Sequence, residues 1–452
     1  MAGVFGTDGV RARINTGPMR AESVVRLALA AGRWFADKIA DDGRMTRPMV
    51  VIGKDTRLSG YMLESALVAG FTSIGINCRL LGPVPTAAVS YLTHSLRADF
   101  GVMISASHNP HHDNGIKLFG PDGYKLDDAI EEEISALMRG SIALAPPDGL
   151  GRARRIVNSA QRYMEFAKAT FDTAQSLAGM RIVVDCAHGA AYRTAPDTLV
   201  ELGAEIVPLG VAPDGLNINF NCGATAPAAM AKAVSESGSA LGICLDGDAD
   251  RLILADEKGQ IRDGDQILAA LALDAAEQGT LDGPVIGTVM SNLGLETVLD
   301  EHNIGFERAA VGDRYIHERM VKTGSTLGGE PSGHILLPQL TSTGDGLIAA
   351  LQVLSLMCRT GKPASALLSC FTPVPQKLVN LPDMEKAVLN DRWVTEQVAA
   401  VSAELGEAGR VLLRPSGTEP LIRVMVEAVD EARLDAAMDK LVNVLKVAAS
   451  QN

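Results

Sequence analysis

The hexapeptide SASHNP at residues 105–110 contains the first candidate for chemistry in this sequence. It follows an apolar run at residues 100–104 that predicts a buried strand, and its Asn109-Pro110 pair is a turn signal that ends the strand. α/β proteins place their ligands and their chemistry at the ends of such strands. Ser105 or Ser107 is therefore a candidate nucleophile or phosphate carrier, although either hydroxyl could simply cap the turn.

Three aspartates at alternate positions form a second candidate site. Asp246, Asp248 and Asp250 lie between two apolar runs that predict strands. In an extended segment alternate side chains share one face, so the three carboxylates are expected on the same side. Two unit charges about 4 Å apart repel by about 4 kcal/mol at an effective dielectric of about 20, so a cation is expected there. All-oxygen ligation favours Mg²⁺, with Ca²⁺ and Mn²⁺ behind it.

Two other interpretations of the aspartate run were compared with a magnesium site. The pattern also opens a calcium-binding EF-hand loop, but Arg251 stands at the sixth position, where that loop requires glycine. Predicted strands rather than helices flank the run, which also argues against an EF-hand. A solvated acidic turn is the alternative that stays open.

An arginine-flanked turn near the C-terminus is a candidate anion site. The run RPSGTEP at residues 414–420 offers hydroxyl and backbone N–H donors from Ser416, Gly417 and Thr418. Arg414 and Arg423 add guanidinium donors suited to phosphate. A plain hairpin turn with arginines on its rim is the alternative.

The glycine-rich run GGEPSGH at residues 328–334 is a candidate sugar site. Glu330 and Ser332 stand two residues apart, which suits binding to neighbouring hydroxyls of a sugar. His334 could move a proton or bind a phosphate. Taken alone, this run could equally be a structural turn.

Smaller basic clusters accompany these four runs. Arg11, Lys54 with Arg57, Lys117 and Arg314 each lie beside a turn signal, and any one of them could be an ordinary surface charge. The adjacent His111 and His112 have no third ligand at metal spacing and are expected in an exposed loop. The sequence contains no GxGxxG, P-loop or GxSxG motif, which argues against a nicotinamide enzyme, a P-loop kinase and an α/β-hydrolase.

Composition argues against large polyanionic partners. The formal charge of −13 opposes non-specific binding to nucleic acid or anionic lipid, and 4% aromatic residues are too few for base-stacking platforms. Six scattered cysteines without a CxxC pair are expected to be reduced and mostly buried. Without a recognisable leader or an apolar segment long enough to span a bilayer, we expect a cytoplasmic protein.

The order of predicted elements indicates several layered domains. Strand-like and helix-like runs alternate through most of the 452 residues, which predicts α/β domains with parallel or mixed sheets. The last 80 or so residues have another order, with a helix expected at 385–405, and predict a small α+β domain. Runs rich in helix-breaking residues near 150 and 372, and a softer boundary near 255–264, divide the chain into expected domains at 1–150, 151–255, 256–372 and 373–452.

Taken together, the four runs resemble the α-D-phosphohexomutase family, and the resemblance covers almost the whole chain. They follow the family's order: phosphoserine loop (105–110), metal loop (246–251), sugar loop (329–334) and phosphate loop (414–420). Residues 5–11 and 53–60 resemble the branch that acts on glucosamine phosphates. Ala12 stands where that branch usually has glycine, and Pro331, in the loop that sets specificity, where it usually has glutamine.

The resemblance implies a heart-shaped fold of three mixed-sheet α/β domains plus a smaller C-terminal α+β domain, with one loop from each at a central cleft. It implies that Ser107 rather than Ser105 carries a phosphoryl group. The implied reaction interconverts glucosamine 6-phosphate and glucosamine 1-phosphate through a sugar 1,6-bisphosphate, supplying UDP-N-acetylglucosamine and cell-wall precursors. The bisphosphate would also be the activator.

The resemblance also implies a role for each candidate residue. One Mg²⁺ would be bound by Asp246, Asp248, Asp250 and the phosphorylated Ser107. The residues implied to act on the reacting groups are Ser107, Lys117, His334 and Arg11, with His334 and Lys117 both candidates for the general base. Supporting roles fall to Arg251, His108, Asp313 and Arg314. Glu330 and Ser332 would bind the sugar, and the residues for its non-reacting phosphate would be Arg414, Ser416, Gly417, Thr418 and Arg423.

Other functions on the same scaffold stay open at this point. The first is a phosphomannomutase/phosphoglucomutase, and the second is a non-catalytic protein that binds sugar phosphates. A phosphatase that passes the phosphoryl group to water is a third. The expected partners are small hexosamine phosphates, with no nucleic acid and no membrane, and the resemblance also allows a homodimer.

Overall fold

The computed structural model of the chain describes residues 4–6, 8–41, 47–415 and 421–451. Four β-sheets follow one another along these residues, and we call them, with the helices that pack on them, units 1 to 4. Within the described part of the chain, none of the helices has the length and apolar character needed to cross a membrane.

Unit 1 is built on a six-stranded mixed sheet with the strand order β1-β5-β4-β2-β3-β6. Its elements are β1 (Val10–Arg13), α1 (Ala21–Asp41), β2 (Met49–Lys54), α2 (Gly60–Ser73), β3 (Asn77–Pro83), α3 (Thr86–Ser95), β4 (Phe100–Ile104), β5 (Asp113–Phe119), α4 (Asp128–Leu137) and β6 (Ala153–Arg155). Strands β2, β3, β4 and β6 are parallel, whereas β5 runs antiparallel to both of its neighbours. The sixth strand places residues beyond the expected boundary at 150 in the first sheet.

Unit 2 follows the connecting helix α5 (Ser159–Ala169) and has the strand order β11-β10-β9-β7-β8. Its elements are β7 (Arg181–Asp185), α6 (Thr194–Glu201), β8 (Glu205–Leu209), α7 (Ala228–Ser237), β9 (Leu241–Leu245), β10 (Leu252–Asp256) and β11 (Ile261–Arg262). Strand β7 pairs in parallel with β8 and β9, and β9 and β10 form an antiparallel hairpin. The predicted aspartate site is the connection of that hairpin.

Unit 3 has a four-stranded mixed sheet with the order β13-β12-β14-β15. Its elements are α8 (Gly264–Glu277), β12 (Val285–Thr288), α9 (Leu293–Glu301), β13 (Phe306–Ala309), α10 (Asp313–Thr323), β14 (Gly328–Gly329), β15 (Ile335–Leu336), α11 (Gly346–Thr360) and α12 (Ala364–Leu367). The short strands β14 and β15 pair across the predicted sugar loop.

Unit 4 is smaller and contains an antiparallel sheet with the order β16-β18-β17. Its elements are β16 (Gln376–Pro382), α13 (Arg392–Leu405), β17 (Gly409–Pro415), β18 (Leu421–Ala428) and α14 (Glu431–Gln451). Three mixed α/β units and a smaller α+β unit confirm the predicted fold class.

The helix expected at 385–405 is divided into two elements. A short 3-10 helix spans Lys386–Asn390, and α13 begins only at Arg392. Between them Asp391 has extended backbone angles (φ −63°, ψ 133°), and its side chain accepts a hydrogen bond from Val394 N. An N-cap of this kind starts a new helix, so the single predicted helix was wrong at its N-terminal end.

The four units do not share one core. A single cluster of buried apolar side chains runs through units 1, 2 and 3, with Met103, Val184 and Leu347 among its fully buried members. The apolar core of unit 4 is a separate cluster that includes Val424 and Leu441. Units 1 to 3 are thus joined by the hydrophobic effect, which favours burial of their common apolar surface.

Unit 4 contacts unit 3 through Arg410, which also forms an ion pair within unit 4. Arg410 donates to Glu427 Oε2 at 2.7 Å within unit 4, and to the carbonyl oxygens of Val289 and Ser291 in unit 3 at 2.8 and 2.9 Å. Glu427 has no exposed surface. One guanidinium therefore neutralises a buried carboxylate and binds the neighbouring unit at the same time.

The cysteines match their prediction. All six are free thiols, four of them buried and two partly exposed. Burial raises the pKa of Cys78 and of Cys222 to about 12, which keeps these thiols protonated and unreactive at neutral pH.

A buried hydrogen bond ties the connecting helix α5 to unit 3. Tyr163 Oη donates to both carboxylate oxygens of Asp345, at 3.0 and 2.8 Å. Asp345 also caps α11 by accepting from the backbone N–H groups of Leu347 and Ile348. Burial raises the pKa of Asp345 to about 6 although these donors lower it, so each donor matters to this carboxylate.

We expect Tyr163→Phe to destabilise the protein by about 1–3 kcal/mol, because it leaves a buried carboxylate with one donor fewer. Calorimetric melting of the variant should show a lower melting temperature. Tyr315→Phe is the matched control, since that ring is 36% exposed and its change should stay within about 0.5 kcal/mol. Equal melting temperatures for wild type and Tyr163→Phe would contradict this account.

Candidate active site

Ser107 lies in a tight turn directly after β4. Its φ angle is 49°, a left-handed conformation that is unusual for a residue with a side chain. The turn is held from within, because Ser107 N donates to Ser105 Oγ at 2.9 Å and Ser105 Oγ donates to Asp55 Oδ2 at 2.7 Å. Ser105 therefore shapes the loop, and Ser107 is the serine whose hydroxyl is presented to unit 2. Backbone strain of this kind is concentrated at functional sites.

Arg57 fixes the same loop through its main chain. Its guanidinium donates to the carbonyl oxygens of Ser107 and Asn109 at 2.9 Å each and of Pro110 at 2.5 Å. Its Nε also donates to Asp55 at 2.8 Å, and the Arg57 side chain has no exposed surface. The sequence placed Arg57 among clusters that could be surface charges, and that alternative is wrong for this residue. Arg57 is a buried clamp on the serine loop.

Asn219 clamps the loop from unit 2, and nothing in the sequence analysis singled it out. Its Nδ2 donates to the carbonyl oxygens of Ser107 at 2.9 Å and Asn109 at 3.1 Å. Its own backbone is left-handed, with φ of 59°, a conformation that asparagine tolerates better than most residues. The asparagine-rich run at residues 217–221 was the only local signal for this bend.

The three aspartates converge through a turn rather than along an extended segment. Residues 247–249 form the turn that connects β9 to β10, and Ala249 has φ of 60°. The predicted extended geometry was therefore wrong, although the predicted clustering is present: one oxygen each of Asp246, Asp248 and Asp250 lies within 4.8 Å of the others. A Cβ at Gly247 would lie 2.5 Å from Ser107 O, so only glycine allows the two loops to approach this closely.

The aspartate cluster lies directly beside the serine. Ser107 Oγ donates to Asp246 Oδ2 at 2.5 Å. Among the described residues, Asp248 Oδ1 and Asp250 Oδ1 are buried and accept no hydrogen bond. Burial and the charges of Asp250 and Asp248 raise the pKa of Asp246 well above its usual value. Unpartnered carboxylate oxygens in a buried acidic cluster fit a hard divalent cation, so the donor set suits a metal.

Lys117 balances part of this negative charge. From β5 its Nζ donates to Asp248 Oδ2 at 3.0 Å and to Asp250 Oδ2 at 3.1 Å, and its side chain is only 1% exposed. Burial lowers the pKa of Lys117, but Asp248, Asp250 and Asp8 outweigh burial and raise it well above the ordinary value. Lys117 is thus an ammonium group at neutral pH.

Two histidines lie close to these groups. His334 is 4% exposed, with Nδ1 3.8 Å from Asp250 Oδ1 and Nε2 3.4 Å from Asp313 Oδ2. His108 Nδ1 lies 3.2 Å from Ser107 Oγ. Burial and the positive charges of Arg251 and Arg11 lower the pKa of His108 to about 4, so its ring is neutral at pH 7.

Glu330 and Ser332 contact each other within the sugar loop. Glu330 is 8% exposed, and its Oε2 accepts from Ser332 Oγ at 3.1 Å. Its Oε1 accepts from Gly312 N at 2.9 Å, at the start of α10. Glu330 also attracts both Arg251 of unit 2 and Arg414 of unit 4 electrostatically. The sugar loop therefore faces the metal loop and the phosphate loop.

The two arginines of the phosphate loop are cross-strand partners on β17 and β18. Burial and the like charge of Arg423 lower the pKa of Arg414, which shows how closely the two cations face each other. Within the described ranges, the Nε atoms of Arg414, Arg423 and Arg251 are buried without an acceptor. Juxtaposed guanidinium groups with free donors suit an anionic ligand. Ser416, Gly417 and Thr418 lie outside the described residues.

The remaining predicted residues occupy different positions. Arg11 pairs with Asp8, and Asp313 pairs with Lys125, a residue that the sequence analysis missed. Arg314 turns away from the aspartate cluster and pairs with Asp128 of α4 and Glu318 of its own helix. Arg314 thus joins unit 3 to unit 1 and is not brought to the cluster.

All four domains of one family match the sequence in chain order. The alpha/beta/alpha domains I, II and III of the phosphoglucomutase/phosphomannomutase family match residues 2–143, 161–259 and 263–374, and the C-terminal domain matches residues 373–444. The matched segments include all four predicted loops, at residues 105–110, 246–251, 329–334 and 414–420.

Solved structures of the family share the fold. The chain aligns with a phosphoglucomutase/phosphomannomutase family protein from Burkholderia thailandensis at a TM-score of 0.81 and 23% identity, covering 98% of this chain and 97% of the other. N-acetylphosphoglucosamine mutase from Aspergillus fumigatus, solved with GlcNAc-6P and magnesium, aligns at a TM-score of 0.63 and 19% identity, over 80% of this chain and 92% of the other.

Two curated relatives are much closer in sequence. The phosphoglucosamine mutase of Paracoccus denitrificans is 56% identical over 448 residues, and that of Phenylobacterium zucineum is 55% identical over 449 residues. Each alignment covers 99% of this chain and 99% of the relative. The resemblance predicted from the four loops is confirmed, and the chain belongs to the phosphoglucomutase/phosphomannomutase family, in the group of the phosphoglucosamine mutases.

Proposed function

We propose that this protein interconverts glucosamine 6-phosphate and glucosamine 1-phosphate, with Ser107 as the phosphoryl carrier and glucosamine 1,6-bisphosphate as the intermediate. One observation carries the proposal: the buried Ser107 hydroxyl lies 2.5 Å from Asp246, beside two carboxylate oxygens that have no hydrogen-bond partner among the described residues. The relatives named phosphoglucosamine mutase, at 55–56% identity, support the choice of an amino sugar. The product would supply UDP-N-acetylglucosamine and cell-wall precursors.

The reaction moves one phosphoryl group in each direction. In the first transfer, the bond between phosphorus and Ser107 Oγ breaks as a bond forms to a hydroxyl oxygen of the sugar phosphate, and that hydroxyl loses its proton. The bisphosphate then turns over, and its other phosphoryl group returns to Ser107 Oγ while the sugar oxygen regains a proton. Such transfers need positioning and charge neutralisation more than covalent assistance.

The three aspartates support a magnesium site. Asp246, Asp248 and Asp250 would hold Mg²⁺ through carboxylate oxygens, which are the ligands that this ion prefers. When bound, the ion would supply neutralisation of the charge on the phosphoryl group. Arg11 and Arg251 lie beside the same loops and would add positive charge around that group.

The protonation states of the basic residues suggest how the proton moves. Lys117 is held as an ammonium by Asp248, Asp250 and Asp8, so it would bind the transferring phosphoryl group as a hydrogen-bond donor. We assign proton acceptance and return to His334, which lies between Asp250 and Asp313. His108, neutral and beside Ser107 Oγ, would keep the serine loop in shape. Asp313 orients His334, and Arg314 stabilises the contact between units 3 and 1.

The sugar is bound in two orientations during one cycle. Glu330 and Ser332 would bind hydroxyls that occupy similar places before and after the turnover. Arg414 and Arg423, with Ser416, Gly417 and Thr418, would bind whichever phosphate is not reacting. The unpartnered Nε atoms of the two arginines, among the described residues, support this assignment.

The cellular setting follows from the same observations. Six free cysteines support a reducing compartment such as the cytoplasm.

The proposal also includes domain divisions near residues 150, 255 and 372. It includes a sugar bisphosphate as the activator.

Substrate preference tests the function directly. We expect kcat/KM for glucosamine 6-phosphate to exceed that for mannose 6-phosphate and glucose 6-phosphate by about tenfold or more, because Glu330 and Ser332 must distinguish sugar substituents. Turnover is measured with each sugar phosphate, Mg²⁺ and a trace of glucose 1,6-bisphosphate. A tenfold preference for a neutral sugar would favour a phosphomannomutase/phosphoglucomutase, and phosphate release faster than isomerisation would favour a phosphatase.

Ser107→Ala tests the phosphoryl carrier. Turnover should fall by at least about 10³-fold, since the group that accepts and returns the phosphoryl is removed. The melting temperature and sugar phosphate binding should stay close to wild type. Intact mass after exposure to glucose 1,6-bisphosphate should show one added phosphate on wild type and on Ser105→Ala, but none on Ser107→Ala. Phosphate on the Ser107→Ala protein would disprove the assignment.

Asp246→Asn tests the metal site and the cause of the Asp246 pKa shift. A raised pKa in the folded state means that stability is lost as the pH rises through it, so the uncharged variant should melt higher than wild type at pH 7 without metal. Mg²⁺ at a hundred times its Kd should stabilise wild type by about 2.7 kcal/mol but barely stabilise the variant. Glu277→Gln, at an exposed position of α8, is the control and should respond to Mg²⁺ like wild type. An equal gain from Mg²⁺ in Asp246→Asn would refute the site.

A further inference from the structure

Six ionisable side chains from units 1, 2 and 3 form a closed ring in which acidic and basic groups alternate. We call this set the charge ring; in order around it, its members are Asp250, Lys117, Asp8, Lys125, Asp313 and His334. Lys117 lies 3.1 Å from Asp250 and 3.5 Å from Asp8. His334 closes the ring at 3.4 Å from Asp313 and 3.8 Å from Asp250. The members are at most 26% exposed, so solvent screens their interactions only weakly.

Lys125 is the member farthest along the ring from the aspartate cluster. Its Nζ donates to Asp8 Oδ1 in unit 1 and to Asp313 Oδ2 in unit 3. Arg11 and Lys117 contact the other oxygen of Asp8, Oδ2, so neither duplicates the Lys125 bridge. Asp8 is adjacent in the ring to Lys117, and Asp313 is adjacent to His334. Lys125 is thus linked through Asp8 to Lys117, the proposed donor to the phosphoryl group. Through Asp313 it is linked to His334, the proposed proton acceptor.

The backbone around Lys125 is built to present it. The segment 120–124 folds back on β5, so that Lys125 forms a β-bridge with Phe119 and lies next to the strand that carries Lys117. Gly120 N donates to Tyr124 O at 2.8 Å to close this turn. Gly123 has φ of 83°, and a Cβ there would lie 2.8 Å from Ser342 Oγ of unit 3. The turn therefore needs glycine both for its conformation and for its contact with unit 3.

The charges show what Lys125 contributes. Burial alone would raise the pKa of Asp313, but Lys125 and His334 outweigh burial and lower it. In the same way burial would raise the pKa of Asp8, but Lys117, Lys125 and Arg11 together outweigh burial and lower it. Without Lys125, two largely buried carboxylates would lose a shared counter-ion, and each would have to move toward water or toward its other neighbour in the ring.

We propose that Lys125 is a positioning residue for phosphoryl transfer, which bridges Asp8 and Asp313 and so keeps Lys117 and His334 in place at the transferring group. This inference rests on the proposed function. Lys125 itself touches neither the aspartates of the metal cluster nor Ser107 in the described contacts. Its effect on the reaction is through geometry, because displacement of a reacting group by about 1 Å can lower a rate by about 10²-fold.

The test compares Lys125→Met, Lys125→Arg and a matched control. Lys168→Met is the control, since Lys168 also bridges two carboxylates, Glu165 and Glu201, but at the surface. We expect Lys125→Met to lower kcat by about 10²-fold with KM within about twofold of wild type. Lys125→Arg should restore at least about a third of the loss on a logarithmic scale, and Lys168→Met should keep full activity.

A double variant separates positioning from general destabilisation. If Lys125 acts through Asp313, then Lys125→Met/Asp313→Asn should lose little more activity than the worse single variant. The proposal would be overturned if the kcat losses of the two single variants multiply in the double variant. It would also be overturned if KM of Lys125→Met rises as much as its kcat falls, or if unfolding at the assay temperature explains the loss of kcat.

Failure of the proposed function is read from a different measurement. If wild type prefers a neutral sugar, the amino-sugar assignment is wrong. The Lys125 variants can still be compared with wild type, because they are then assayed with the preferred sugar. The rate at which Ser107 takes up phosphate from glucose 1,6-bisphosphate, followed by intact mass, provides a readout independent of the sugar. Uptake by Lys125→Met at the wild-type rate would refute the positioning role.

Discussion

The electrostatic repulsion among three buried carboxylates governs the structure around the candidate active site. Burial and the charges of Asp250 and Asp248 raise the pKa of Asp246 well above its usual value, so the charge of the cluster needs compensation. The Ser107 hydroxyl and the Lys117 ammonium supply part of it, and a divalent cation bound by the three carboxylates would supply more. Lys117 is itself buried and also pairs with Asp8. Asp8 pairs in turn with Lys125, which pairs with Asp313 of unit 3. The charge ring is the result of this series of pairs.

The sequence predicted what local patterns can carry and missed what depends on distant contacts. Strand-and-turn signals marked the serine loop and the aspartate run as candidates, the resemblance singled out Ser107, and the order of the loops indicated the family and its fold. The turn at Ala249 was missed because alternate spacing alone does not distinguish an extended segment from a bend. Asn219 was missed because its partner Ser107 lies 112 residues away. Arg57 was compatible with a surface charge and Lys125 was not singled out, since burial of a cation is decided by tertiary contacts.

The distribution of apolar cores divides the proposed labour of the site. Ser107, the aspartates and the sugar loop belong to units 1 to 3, which share one continuous core and so keep fixed relative positions. Arg414 and Arg423 belong to unit 4, whose core is separate and whose contact with unit 3 includes the Arg410–Glu427 pair. In the proposed reaction, the reacting end of the substrate would be bound by units 1 to 3, which share a core. Its other phosphate would be bound by unit 4, which has a core of its own.

The grip on the serine loop has one more consequence. Arg57 and Asn219 both bind carbonyl oxygens of the main chain, and neither donates to the Ser107 hydroxyl. A reversible carrier alternates between a neutral hydroxyl and a dianionic ester, so contacts made with that side chain would be lost and regained in every cycle. The carbonyl oxygens that Arg57 and Asn219 bind are chemically the same in both states. In the proposed reaction, the contacts of Arg57 and Asn219 would therefore not depend on whether Ser107 carries a phosphoryl group, and the charge change would act on the groups around its side chain.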